Sequence, residues 1–198
     1  MRVILSDFMS LDGVVQAPGQ RKEDTDGGFE HGGWSMPFFD AEAMGPAIGA
    51  VMERTEALLF GRRTWATMAA AWPGRAGDPF ADQMNAIPKY VASRTLGPDD
   101  LTWTNTTLLP ADDAIGAIRA LRARDGGGAL NVMGSASLAS QLLVNDLVDE
   151  LHLMIEPILL GGGKRLFPED GRKRRMELIS TTMASTGVII CAYRPVPA

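Results

Sequence analysis

Residues Leu130–Phe167 read LNVMGSASLASQLLVNDLVDELHLMIEPILLGGGKRLF, and the order of features in this stretch decides the fold. A short apolar run, Leu130–Met133, stops at Gly134 and is followed by the small and hydroxyl residues Ser135, Ala136 and Ser137. Leu138, Leu142 and Leu143 then recur with helical spacing, Asn145-Asp146 marks an exit, and Leu151, Leu153 and Ile155 alternate as a strand that leads to Gly161-Gly162-Gly163. Strand, glycine turn, helix and strand make the unit from which parallel sheets are built. A glycine between strand and helix lets a ligand come close to the backbone, and the free N–H groups of the helix start favour a bound phosphate.

Working outward, Arg2–Met9 reads as a buried strand ending in the turn signal Ser10-Leu11-Asp12-Gly13. Residues 17–39 are polar and glycine-rich but carry Phe29, Trp34, Phe38 and Phe39, so they predict a functional loop or flap. A helix is expected over Ala43–Arg54, with Gly45 and Pro46 blurring its first turn, then a strand over Glu56–Phe60 and a helix over Thr64–Ala71. Pro73–Pro79 reads as a surface loop, Phe80–Ile87 as a short helix and Lys89–Ala92 as a strand. Leu101–Leu109 reads as one bent strand or two short ones, and Pro110 as the start of a helix with Ile115, Ile118 and Leu121 on its apolar face. Met176–Met183 and Gly187–Arg194 predict an antiparallel hairpin at the sheet edge. The pattern is that of one α/β domain, residues 1–198, around a mixed sheet.

Composition narrows the classes. The 198 residues suit one domain with a sizeable core, 45% hydrophobic and 22% charged. No apolar run approaches the roughly 20 residues of a membrane span, and Met1–Leu5 enters a strand directly, so a cytoplasmic protein is expected. A single cysteine, Cys191, and two histidines without motif spacing predict no metal site. The net charge of −5 argues against nucleic acid as a partner.

Three strand ends share a pattern: Gly61-Arg62-Arg63-Thr64 after Phe60, Ser93-Arg94-Thr95 after Ala92, and Gly134-Ser135-Ala136-Ser137 after Met133. Ligands of open α/β sheets sit outside the carboxyl ends of strands, so the three turns are expected to converge on one crevice. Hydroxyls and free amides suit a pyrophosphate, and arginine suits an additional phosphate, which points to NADP rather than NAD. There is no G-x-G-x-x-G. Gly161-Gly162-Gly163-Lys164 does not match a phosphate loop, because Ile158 and Arg165 stand where a glycine and a Ser or Thr are needed.

The acid–base candidates are Asp7, Asp12, Glu30, Asp40, Glu42 and Glu156. Asp12 sits at the mouth of the first strand, where it reaches either a substrate or the turn's own backbone. Glu156 interrupts an apolar strand before Pro157 and faces either the cleft or water, and His152 is expected to pack under a helix or loop. Met36, Met44, Met52, Met68 and Met84 read as core filler, and Arg172–Arg175 as a solvated turn.

The motifs SLDG at 10–13, LFGRRTW at 59–65, PKYVASRTL at 88–96, and LVDEL at 147–151 leading to PILLGGGKRLF at 157–167 occur in that order. Together they resemble the dihydrofolate-reductase-like superfamily, and more narrowly the branch of the riboflavin-biosynthesis reductase domain, here as a stand-alone chain without a zinc-binding deaminase region. The resemblance spans about Arg2 to Tyr193. It implies a central mixed, mostly parallel sheet flanked by helices and an NADPH-dependent reductase of a small heterocycle, ribosylaminopyrimidine- or pterin-like. Gly61, Arg62 and Thr64 would form the first phosphate-binding helix start, Ser93 and Arg94 the 2′-phosphate side, and Gly134, Ser135 and Ala136 the turn under the pyrophosphate and nicotinamide, with Ser137 a further cofactor-binding candidate. Asp12 and Gly13 would border the nicotinamide and substrate, Asp12 or a bound water is expected to relay the proton, and Ser10, Gly13, Trp34, Phe38 and Glu156 are expected around the substrate. The rival expectation is an NADP(H)-binding module without turnover that acts through a partner or as a homodimer.

Overall fold

The computed structural model describes residues 1–75 and 77–196; Ala76, inside the loop expected over Pro73–Pro79, and the last two residues lie outside the described set. The strands are β1 (Arg2–Ser10), β2 (Thr55–Gly61), β3 (Lys89–Ala92), β4 (Thr106–Leu108), β5 (Ala129–Met133), β6 (Glu150–Glu156), β7 (Met176–Met183) and β8 (Ile189–Pro195). The helices are α1 (Ala41–Arg54), α2 (Arg62–Ala71), α3 (Pro79–Ala86), α4 (Ala114–Arg122) and α5 (Ala136–Val144). The strands form one sheet in the order β4-β3-β2-β5-β1-β6-β8-β7. Pairings from β4 to β6 are parallel, while β8 runs antiparallel to both β6 and β7. The fold is thus the expected mixed, mostly parallel sheet with a terminal antiparallel hairpin. None of the described helices is long and apolar enough to cross a membrane.

The unit that opened the reading is present as β5, α5 and β6, yet its two strands are not neighbours. β1 lies between them, pairing Val3 with Leu130 on one side and Leu5 with Leu151 on the other. This explains the apolar run Val3–Leu5 in β1 and the apolar residues of β5 on either side of Asn131, since strands buried on both faces cannot simply alternate with polar residues. Leu5, Leu59, Leu130 and Val132 pack under α4 and α5 through Ile118, Leu121, Leu138 and Leu142. On the opposite face Leu58 and Phe60 meet Met52 of α1, Trp65 of α2, Met84 of α3 and the buried Trp103.

Three expectations are corrected. The helix predicted from Pro110 begins at Ala114, because Asp113 accepts the Gly116 amide at 2.9 Å and supplies the cap. Leu101–Leu109 holds only the three-residue β4, since Trp103 turns into the core instead of extending an edge. Helix α1 begins before Gly45-Pro46, at Ala41, where Asp40 Oδ1 caps the amides of Glu42 and Ala43 and makes a start that survives an internal proline.

Candidate active site

The parallel strands end on one side of the sheet, and there β2, β3 and β5 deliver their turns to one cleft of about 1630 Å³. Its lining includes Gly61, Arg62 and Thr64 from the first turn, Ser93 and Arg94 from the second, and Gly134, Ser135, Ala136 and Ser137 from the third. All nine residues assigned from sequence to a cofactor therefore lie together.

Two of these turns are bolted to each other. Ser135 Oγ accepts the Gly61 amide at 2.7 Å and donates to Thr64 Oγ1 at 2.7 Å. A Cβ on Gly61 would stand 2.9 Å from that hydroxyl, so the close approach requires glycine. Gly134 and Ser135 take φ of +62° and +69°, which turns β5 abruptly into α5. Neither α2 nor α5 has a side-chain cap, so the first-turn amides of both helices face the cleft without a side-chain partner. Two helix starts side by side concentrate positive partial charge and amide donors, the requirement for holding an anion.

The second turn is shaped by Ser93, whose Oγ accepts the amides of Thr95 and Leu96 at 3.1 and 3.0 Å. Next to it Arg94 is exposed, and among the described residues neither it nor Arg62 has an ion-pair partner. Arg63 differs, since it is bound to Asp24 and Asp26, the carboxylates that Lys164 also grips at 2.5 and 3.1 Å. Hydrogen bonds from Arg63 and then Lys164 hold the Asp26 carboxyl down at about 2. The loop of residues 17–39 is thus clamped to α2 and to the 161–165 turn, closing one side of the cleft.

The expected substrate-side residues are placed differently. Asp12 accepts from Ser10 Oγ at 2.6 Å and from the amides of Leu160 and Gly161 at 3.1 and 2.9 Å. The Ser10 hydroxyl leads these bonds in holding the carboxyl at about 2, so Asp12 is a staple for the glycine turn and an unsuitable proton donor near neutrality. Ser10 also accepts the Val14 amide at 2.9 Å, and Gly13 supplies the φ of +83° that the turn needs. Trp34 is buried, with Nε1 donating to the Gln16 carbonyl at 2.8 Å, and Phe38 packs with Met44 and Met154. None of Ser10, Asp12, Gly13, Trp34, Phe38 or Glu156 lines the cleft.

Glu156 faces neither the cleft nor water. It is fully buried, takes a 2.6 Å bond from Ser35 Oγ to Oε1, and leaves Oε2 without a partner. Burial pushes its carboxyl up to about 7, against the smaller opposing effect of Ser35. Glu156 thereby anchors the loop. The groups that do line the cleft beyond the three turns include Asp7, Ser35, Met36, Phe39, Met133 and Met154. His152 also reaches it, while hydrogen-bonded to Glu150 Oε2 at 2.9 Å. Asp7 had a visible signal, a carboxylate inside an apolar strand. Met36 and Met133 had none, because a methionine on a cleft wall reads the same as one in a core.

The model of the RibD C-terminal domain matches residues 1–190. The chain belongs to the RibD C-terminal domain family. Within the known proteins it is 25% identical to the uncharacterised protein YyaP of Bacillus subtilis (strain 168), over 97% of this chain and 94% of that one. Among solved structures it superposes on a candidate riboflavin biosynthesis protein from Shewanella sp. PV-4 with a TM-score of 0.71 at 20% identity, covering 100% of both chains. It also matches the Thermotoga maritima diaminohydroxyphosphoribosylaminopyrimidine deaminase/5-amino-6-(5-phosphoribosylamino)uracil reductase, with a TM-score of 0.63 at 14% identity, over 98% of this chain and 56% of that one. These likenesses bear on the fold, and the RibD C-terminal domain family is reductase-related.

Proposed function

We propose that this RibD C-terminal domain protein is an NADPH-dependent reductase of a small heterocyclic substrate, ribosylaminopyrimidine- or pterin-like. The observation that carries the reading is the pair of helix starts, α2 and α5, locked together by Ser135 and opening on a cleft beside two unpaired arginines. The residues suit the cofactor. First-turn amides of the two helices meet a pyrophosphate, the Gly61–Ser135 contact keeps the backbone close, and Arg94 stands free for a 2′-phosphate. Bound NADPH would supply a hydride from the nicotinamide C4. The chain's own part is to orient the partners and to keep water out, which Met133, Met154 and Phe39 do by walling the cleft with apolar surface. The Thermotoga protein is named as a 5-amino-6-(5-phosphoribosylamino)uracil reductase, which supports that substrate class.

Replacing Arg94 with Ala is expected to weaken NADPH about 10- to 100-fold, the worth of a charge-assisted contact, and to leave NADH nearly unchanged. Titration of both nucleotides against wild-type and variant protein checks this; an equal loss for both sinks the 2′-phosphate assignment. Stoichiometric NADPH binding with no oxidation across pterins, pyrimidines and quinones would instead favour a cofactor-binding module.

A further inference from the structure

Asp7 is a buried carboxyl on the cleft wall that takes part in none of the contacts above. It lies on β1 paired with Leu153 of β6, opposite neither a lysine nor an arginine, and the residue is only 8% exposed. Oδ2 has no hydrogen-bond partner, and among the described residues Asp7 enters no ion pair. Of the other basic groups lining the cleft, Arg63 and Lys164 are committed to Asp24 and Asp26 and His152 of β6 to Glu150, while Arg62, Arg75 and Arg94 make no ion pair with Asp7 among the described residues. A carboxylate so placed would be a buried, unpaired charge, and such a group takes up a proton instead. Burial accordingly raises the Asp7 carboxyl well above its ordinary range; the Phe8 amide opposes this and the charge of Glu23, from the 17–39 loop, adds to it.

A neutral carboxyl carries one O–H donor and one carbonyl acceptor side by side. Its complement is an uncharged cis arrangement of acceptor and N–H donor, as in a primary amide or the lactam edge of a ring. An amidinium or guanidinium would call instead for the ionised form. We propose that Asp7 recognises a neutral amide or lactam edge on the molecule that occupies the cleft. Two sources present this chemistry: the carboxamide of a nicotinamide, and the –NH–C(=O)– edge of a pyrimidine. The inference rests on the reductase reading only for what enters the cleft, because the pairing itself follows from the carboxyl.

The test compares wild type, Asp7→Asn and Asp7→Leu, each as the full chain, by calorimetric titration with NADPH and separately with 5,6-diaminouracil at pH 6 and pH 9. Asn keeps a donor and an acceptor on the same frame, whereas Leu keeps only the volume. Asp7→Leu is expected to weaken at least one probe about tenfold or more, with Asp7→Asn within about threefold of wild type at pH 6. Wild-type affinity for that probe is expected to fall as rising pH ionises the carboxyl, and the Asn variant to hold its affinity. The probe that responds names the source. If both probes bind and all three proteins bind them alike, Asp7 is a packing residue and the proposal is overturned, while the cofactor reading stands. If NADPH does not bind wild type but diaminouracil binds through Asp7, the cofactor reading fails and this one survives; binding of neither overturns both. Thermal melts of the variants guard against misfolding, and removal of an uncompensated buried acid is expected to leave Asp7→Asn at least as stable as wild type at pH 9.

Discussion

Glu156 and Ser35 show how much one side chain can decide. The loop of residues 17–39 reaches β6 through their 2.6 Å bond, at a carboxyl that burial holds near 7. In the unfolded chain the same group ionises near the ordinary glutamate value of 4.5. Between these values the folded form keeps a proton that the unfolded form has lost, so the stability from the neutral acid is complete below about pH 4.5 and disappears as pH rises through 7. Glu156→Gln cannot ionise and still accepts from Ser35. It is expected to gain on wild type by up to roughly 3 kcal/mol between pH 5 and pH 8, read from urea unfolding at the two values. A difference between the two proteins that does not change with pH would mean that the carboxyl is not buried as described.

At the scale of elements, the cleft depends on the joint between the β2–α2 and β5–α5 turns. Ser135→Ala removes both of its hydrogen bonds and leaves the Gly61 amide without its partner. A loss of about 1–3 kcal/mol in stability is expected, with NADPH binding weakened as the two helix starts drift apart. Chemical denaturation and nucleotide titration of the same variant check the two together; loss of stability with unaltered binding would separate the joint from the site. The sequence marked both turns, since a glycine or serine after an apolar strand is a local signal. It could not mark the bond between residues 74 positions apart. Element boundaries failed for a related reason: Pro110 suggested a helix start, but the cap that holds α4 is Asp113, and only the observed hydrogen bond to Gly116 distinguishes them.

For the molecule as a whole, the sheet leaves one long edge open. β7 is exposed along all eight residues and carries Leu178, Ile179 and Met183, 49%, 48% and 74% exposed. Free backbone groups beside exposed apolar side chains invite pairing with another strand. Sedimentation at micromolar concentration is expected to show a homodimer, and Ile179→Lys to shift it toward monomer; a wild-type monomer would refute the use of this edge. By itself the sequence determined most strand and helix types, the α/β class and the three glycine- or serine-marked turns, because period, glycine placement and turn chemistry act over a few residues. The tertiary structure alone decided the rest. It inserted β1 between β5 and β6, gave Asp12 to the glycine turn, made Glu156 a loop anchor and left Asp7 in the cleft. An acidic side chain looks the same in sequence whether amides, a hydroxyl or nothing meets it, and its partners come from strands and loops distant along the chain.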